Sequence, residues 1–216
     1  TGSGLVTAAV PRSIQTIVAA YEPCVMTAGL ETDANGQLAS VPRTRIEELL
    51  TGKDAVAIGP GLGQCANAME LVSLVLEICR VPLVLDADAL NLSAAGGLLE
   101  KRNKDTACII TPHPGEFSRL TGQPISDEDE TRSTMAADFA KSHGLTVVLK
   151  GPRTVVTDGM RLFVNTTGNS GMATAGCGDV LTGIVVSLLG QKMNPFEAAA
   201  LAVNAHGRAG NSAAFA

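Results

Sequence analysis

The pattern of this 216-residue sequence predicts an α/β fold in three layers, α/β/α, with a mostly parallel central sheet. Three observations carry that expectation. Short, near-continuous apolar runs of strand length recur along the chain, as strands covered on both faces require. Stretches of helical period separate them, which is the alternation of a parallel sheet. Segments of unusual composition follow the strands, where open α/β sheets gather their ligands. Apolar residues are 45% of the chain and charged residues 17%, a balance that supports a core and excludes a disordered chain. The length suits one domain, and neither an internal repeat nor a linker composition interrupts it, so residues 1–216 are expected to form a single domain.

Residues 5–10 (LVTAAV) read as the first strand and 12–20 as the helix after it. Residues 55–58 (AVAI) form a short strand running into Gly59-Pro60-Gly61-Leu62-Gly63, and 66–79 carry apolar residues at helical spacing. Residues 81–86 (VPLVLD) and 107–110 (ACII) read as strands, 135–142 as a helix and 146–149 as a further strand. Residues 154–157 and 161–164 read as a hairpin around Asp158-Gly159. A helix over 180–189 is closed by Gly190 as a C-cap signal, and 195–209 make a last, Ala-rich helix. The sequence opens at Thr1 without a Met and is still helical in pattern at Ala216, as expected of a piece of a longer protein.

A net charge of −5, with no Lys/Arg cluster, argues against nucleic-acid binding. Five Phe, one Tyr and no Trp offer no stacking platform for bases or sugars. The five cysteines (Cys24, Cys65, Cys79, Cys108, Cys177) are scattered without zinc spacing, which reads as a reduced, cytoplasmic protein. No signal peptide or membrane span is visible, so no membrane partner is expected.

The strongest local signal is the glycine-rich run 168–179 (GNSGMATAGCGD), followed at once by an apolar helix. Glycine allows positive φ and close backbone approach to a ligand. A helix beginning at Gly178 or Asp179 presents free N–H groups to an anion. A phosphoryl group seated there would place Asp179 to take a proton from an attacking hydroxyl; the bland alternative is a carboxylate favoured at a helix start. Cys177 reads as loop filler, since no His–Cys pairing is evident. In Thr111-Pro112-His113-Pro114-Gly115-Glu116, the prolines hold His113 either over a ligand or in a rigid strand-to-helix turn. Lys150-Gly151-Pro152-Arg153-Thr154 offers a phosphate contact at Lys150 and room for a nucleotide at Gly151, or is a plain turn. Residues 59–63 lack the Walker spacing, yet their glycines suggest close approach of a ligand. Asp86 and Asp88 end a buried strand and could hold Mg²⁺, with a helix N-cap as the other reading of Asp88. His143, Asn204 and His206 read as surface or packing residues.

GPGLG (59–63), LDADALN (85–91), TPHPGEFSRL (111–120), KGPRT (150–154) and GNSGMATAGCGDVLTG (168–183), in that order, resemble one family closely: the NAD(P)H-hydrate dehydratases of the ribokinase-like superfamily. The resemblance implies a ribokinase-like fold and a repair lyase. Such an enzyme phosphorylates the C6 hydroxyl of hydrated NADH or NADPH (NADHX or NADPHX) from a nucleotide, and loss of phosphate restores the dihydropyridine. By the family pattern Asp179 is the base and meets the substrate, as do Gly61 and His113. Lys150, Gly151, Pro152, Arg153, Thr154 and Gly178 contact the nucleotide, and Ala175, Gly176, Cys177 and Gly178 form the anion-hole loop. The resemblance also implies Mg²⁺, ADP as phosphoryl donor because HPGE and KGxxT are both present, and a homotetramer. Ser170, Ala175 and Cys177 depart from the family's usual Pro, Gly and Thr or Ser, and Ala175 would restrict φ. A family strand and helix before residue 1 and a C-terminal segment are expected to be missing, and an epimerase domain could precede the chain. The competing readings are a ribokinase-like ATP-dependent kinase of a small hydroxymethyl compound and a nucleotide-binding protein without turnover.

Overall fold

The computed structural model describes residues 2–126 and 128–214, so Thr1, Ala216 and the helical pattern at the chain's end lie outside the described residues. A two-stranded parallel sheet comes first, β1 (Thr7–Pro11) with β2 (Met26–Leu30), enclosing helix α1 (Gln15–Tyr21). Helix α2 (Arg43–Leu50) leads to the main sheet of β3 (Val56–Ile58), β4 (Leu83–Leu85), β5 (Cys108–Ile110), β6 (Thr146–Leu149), β7 (Val155–Thr157) and β8 (Leu162–Val164), in that spatial order. β3 to β6 run parallel, and β7 and β8 continue the edge as an antiparallel hairpin. The mostly parallel sheet expected from the sequence is therefore present, with the first strands set apart in a sheet of their own.

Strand alternation explains the three layers. Successive side chains of a strand point to opposite faces. Leu83, Leu85, Cys108, Ile110, Val147, Leu149 and Val155 accordingly enter one apolar cluster, and Val84, Ile109, Val148 and Val156 the other. The first cluster is covered by α3 (Ala66–Ile78), α4 (Asp88–Gly96), α5 (Pro114–Thr121) and α6 (Asp129–His143). α3 presents Ala68, Val72, Val75 and Leu76 to it, a helical stripe. The second is covered by α7 (Cys177–Gly190) and α8 (Pro195–Ala213), through Leu181, Val185 and Leu189 of one and Ala198, Ala199, Ala202 and Val203 of the other. Each fully buried Val or Leu contributes about 1.5–3 kcal/mol, so burial on both faces dominates the stability of β4, β5 and β6.

Several boundaries differ from the sequence reading. α6 begins at Asp129 rather than at 135, with Asp129 and Glu130 suited to the positive end of the helix. Gly190 is the last residue of α7 rather than its cap, and the left-handed turn falls on Lys192 (φ 66°). His143 is half-buried, with its ring stacked on Phe139 at 4.0 Å between centroids. No helix among the described residues is long and apolar enough to cross a membrane.

Candidate active site

Parallel strands β3 to β6 end on one edge, so the segments after them meet. The turn after β3 is held by close backbone approach. Gly59 has φ 133°, and a Cβ there would overlap the carbonyl oxygen of Asp86, which restricts the position to glycine. Gly61 and Gly63 follow with φ 67° and 78°. The Asp88 carboxylate accepts from the Gly63 N–H at 2.9 Å and the Gln64 amide at 2.8 Å. Asp88 thus ties down the 59–63 turn; the N-cap position of α4 belongs to Ala87, which corrects the N-cap reading of Asp88. Ala87 itself has φ 49° and ψ −120°, a conformation that costs a non-glycine residue on the order of 1–3 kcal/mol.

Asp86 is the node of the edge. It is 1% exposed, and both carboxylate oxygens are engaged: Lys150 Nζ donates to Oδ1 at 2.8 Å and Thr182 Oγ1 to Oδ2 at 2.7 Å. The same ammonium lies 3.9 Å from Glu116 Oε2. A Cβ on Gly178 would stand 3.3 Å from it. One buried ion pair therefore joins the ends of β4 and β6 to the starts of α5 and α7, and pairing is the condition for keeping a buried charge. With Asp86 so engaged and Asp88 committed to the 59–63 turn, the reading of these two as Mg²⁺ ligands does not fit. Among the described residues no group of three or more His, Cys, Asp or Glu could hold a metal ion.

His113 is the N-cap of α5. Its Nδ1 accepts from the N–H groups of Gly115 at 3.0 Å and Glu116 at 3.3 Å, and Glu116 Oε2 accepts from the His113 N–H at 2.8 Å. This is a reciprocal capping box. Accepting at Nδ1 leaves Nε2 for the proton of the neutral ring, and Nε2 lies 3.4 Å from Glu116 Oε1. The rigid-turn reading therefore accounts for the surroundings of both ring nitrogens, while about half of the side chain stays exposed.

In the turn after β6, Gly151 has φ 141° and Arg153 φ 55°. Thr154 Oγ1 donates to the Gly151 carbonyl at 3.0 Å, and Arg153 Nε pairs with Asp129 at 2.9 Å. A surface hollow of about 350 Å³ opens beside Arg153, between α6 and the β7–β8 hairpin. A second, of about 460 Å³, lies beside Gln64, Asn91 and Arg119.

The glycine-rich run rests on α8. A Cβ on Gly207 would come within 2.8 Å of the Thr167 carbonyl carbon, and one on Gly210 would strike the Met172 side chain. Asn169 donates to the Gly210 carbonyl at 2.8 Å and accepts from the Gly171 N–H at 2.9 Å. The run ends at Gly176, whose φ of 84° makes it the N-cap, so α7 begins at Cys177 and not at Gly178 or Asp179. Ala175 is absent from the positive-φ residues, so the alanine costs the loop no strain. In the first turn, the N–H groups of Gly178 and Asp179 have no backbone acceptor among the described residues, the opening that an anion fills. The Asp179 carboxylate is exposed and makes no hydrogen bond or ion pair among the described residues. Cys177 is not without a histidine: its Sγ lies 3.4 Å from His206 Nε2, across the α7–α8 contact. Burial lowers the His206 pKa below its ordinary value.

Sequence reasoning missed Thr182 and the pairing of Asp86 with Lys150. A lone hydroxyl within the apolar 180–186 stretch, one turn after Gly178, was the available signal for Thr182.

A sequence model of a family described as NAD(P)H-hydrate dehydratase matches residues 1–215. The bifunctional NAD(P)H-hydrate repair enzyme of Moorella thermoacetica is 43% identical over 215 residues, 99% of this chain and 40% of its own length. The ADP-dependent (S)-NAD(P)H-hydrate dehydratase of Neisseria meningitidis serogroup B is 41% identical over 161 residues, 72% of this chain and 54% of its own. The solved ADP/ATP-dependent NAD(P)H-hydrate dehydratase of Bacillus subtilis, co-crystallised with ATP and Mg²⁺, is 27% identical with a TM-score of 0.72, over 95% of this chain and 70% of that one. The chain spans 40% of the Moorella enzyme's length and between 31% and 41% of that of the other bifunctional relatives. The expected ribokinase-like α/β/α fold is the fold it shares with these proteins. With nearly every residue inside the family's sequence model and the quoted segments gathered on one sheet edge, the chain belongs to the NAD(P)H-hydrate dehydratase family.

Proposed function

We propose that this chain is a lyase that dehydrates (6S)-NAD(P)H hydrate to NAD(P)H, consuming ADP and releasing AMP and phosphate. The observation that carries the reading is the start of α7. An unpaired, exposed Asp179 carboxylate stands beside N–H groups that lack acceptors. That is a proton acceptor next to an anion seat. The C6 hydroxyl of the hydrated ring attacks the β-phosphorus of ADP, Asp179 takes the hydroxyl proton, and AMP leaves. The phosphate ester then departs from C6 as a neighbouring ring proton is lost, which regenerates the dihydropyridine.

In this reading Gly61, His113 and Asp179 border the hydrated nicotinamide. Lys150, Gly151, Pro152, Arg153, Thr154 and Gly178 take the nucleotide, whose phosphates rest in the loop of Ala175, Gly176, Cys177 and Gly178. The convergence of these segments on the Asp86–Lys150 pair supports one composite site. ADP as donor is supported by the Neisseria relative, an ADP-dependent (S)-NAD(P)H-hydrate dehydratase. The Bacillus relative is named for both donors. Mg²⁺ would come held by the nucleotide's phosphates and their water, since Asp86 and Asp88 are committed to Lys150, Thr182 and the 59–63 turn. Residues 1–216 act as one domain, supported by a family match that runs through 1–215. Exposed Ile14, Ile17, Tyr21 and Met26 on the β1–α1–β2 segment support a homo-oligomer, a tetramer by family resemblance. The setting is cytoplasmic, supported by free cysteines throughout.

Asp179→Asn tests the role of the base. The reading expects nucleotide binding to persist and turnover to fall by at least about 10²-fold, because a positioned base contributes typically 10²–10⁴. Near-normal turnover would remove Asp179 from the role.

A further inference from the structure

Arg132 stands out among the buried side chains. It is 6% exposed on a helix whose other buried residues are Ala136, Phe139 and Ala140. Its Nε is the one buried side-chain nitrogen or oxygen without a hydrogen-bond partner among the described residues. An incompletely satisfied guanidinium is costly to bury, and such groups call for an explanation beyond packing. Its hydrogen bonds supply one. Nη2 donates to the carbonyl of Pro152 at 2.6 Å and to that of Arg153 at 2.7 Å. Both belong to the 150–154 turn.

Two consequences follow from peptide geometry. A trans peptide sets its N–H opposite its C=O, and no peptide bond among the described residues is cis. With the carbonyls of Pro152 and Arg153 drawn down onto Arg132, the N–H groups of Arg153 and Thr154 point to the other side of the turn. Arg153, between them, is a non-glycine residue at φ 55°, the left-handed conformation through which successive N–H groups form an anion-binding concavity. Asp129 braces the arrangement, lying 3.5 Å from Arg132 Nη2 and pairing with Arg153 Nε at 2.9 Å. A Cβ at Gly151 would stand 3.4 Å from Arg132 Nη1, so the glycine brings the turn down onto the guanidinium.

We propose that Arg132 is a positioning residue for the nucleotide: it holds the 150–154 turn from below, so that the Arg153 and Thr154 N–H groups face acceptor oxygens of a bound nucleoside diphosphate. Arg132 does not touch the ligand itself. The inference rests on the reading of 150–154 as the nucleotide turn.

The test uses the full chain with Arg132→Gln and Arg132→Lys. Calorimetry with ADP gives Kd, steady-state kinetics give KM separately for ADP and for hydrated NADH, and limited trypsin digestion reports cleavage after Arg153. For Arg132→Gln we expect Kd and KM for ADP to rise at least about tenfold, through loss of the two charge-assisted bonds that hold the turn. KM for the hydrated substrate should stay within about twofold, and cleavage should become faster. Arg132→Lys, which keeps a charged donor nitrogen, should recover part of the ADP affinity. Should the Gln variant not fold, the same ADP-selective split in the Lys variant decides. Unchanged ADP affinity, or a loss shared equally by both substrates, overturns the proposal. Wild-type protein that binds neither ADP nor ATP refutes the nucleotide reading of the turn, an outcome distinct from equal binding by wild type and variants.

Discussion

Replacing Lys150 with Met would leave Asp86 buried with a single donor. Asp86 is 1% exposed and the Lys150 side chain 19%, and their contact is 2.8 Å. Removing one partner of a buried pair typically costs about 3–5 kcal/mol, because the remaining charge is uncompensated. Two features place this case at the low end. Thr182 still donates to Asp86 at 2.7 Å, and the partly exposed ammonium gives up some hydration on pairing. A loss of about 3 kcal/mol is therefore expected. For a domain of this size that corresponds to a fall in Tm of roughly 6–12 °C. Urea denaturation of the nucleotide-free protein is the assay, and the midpoint should fall with m unchanged. Asp86→Asn completes a double-mutant cycle, with a coupling of about 2 kcal/mol between directly paired groups. A loss below about 1 kcal/mol with additive effects would refute the pair as the joint of the strand ends.

Gly59 and Gly61 give a paired test. Both have positive φ, but a Cβ at Gly59 overlaps the Asp86 carbonyl whereas one at Gly61 meets open space. Gly59→Ala should cost more than about 3 kcal/mol and Gly61→Ala about 1–2 kcal/mol, read by denaturation; equal costs would contradict the packing of the 59–63 turn. His206 makes stability depend on pH. Its folded pKa lies below the ordinary 6.5, so below that pH the unfolded chain binds a proton that the folded chain refuses. Stability from this group is complete above pH 6.5 and is lost as pH falls. His206→Asn should lose less stability than wild type between neutral and mildly acidic pH, and parallel profiles would contradict the assignment.

What the sequence revealed, and what it concealed, divides by the range of the interactions. Gly59, Gly151 and Gly176 stand where the backbone takes φ of 133°, 141° and 84°, and a local constraint leaves a local mark. The apolar runs of β4, β5 and β6 were readable because burial on both faces permits little else. β2 escaped, since MTAGL mixes small residues with too few apolar ones to show a period, whereas α2 does carry Ile46, Leu49 and Leu50 at helical spacing, a signal only one turn long that was not read. Asp86 and Lys150 are 64 residues apart and Asp86 and Thr182 are 96 apart, so their bonds have no signature in spacing. Arg132 reads as an ordinary charged residue of a polar helix until the turn it holds is folded over it. Likewise Cys177 and His206 meet only because α8 packs on α7.

Turnover of the hydrated nucleotide is tested most directly by spectrophotometry. Hydrated NADH is offered to the protein with Mg²⁺ and with ADP or ATP in parallel, and the reduced-nicotinamide absorbance is followed. Recovery with ADP, slowed at least about 10²-fold in Asp179→Asn, is the expected result. Recovery with ATP alone would keep the dehydration and contradict the donor. No recovery with either nucleotide would contradict the proposed function.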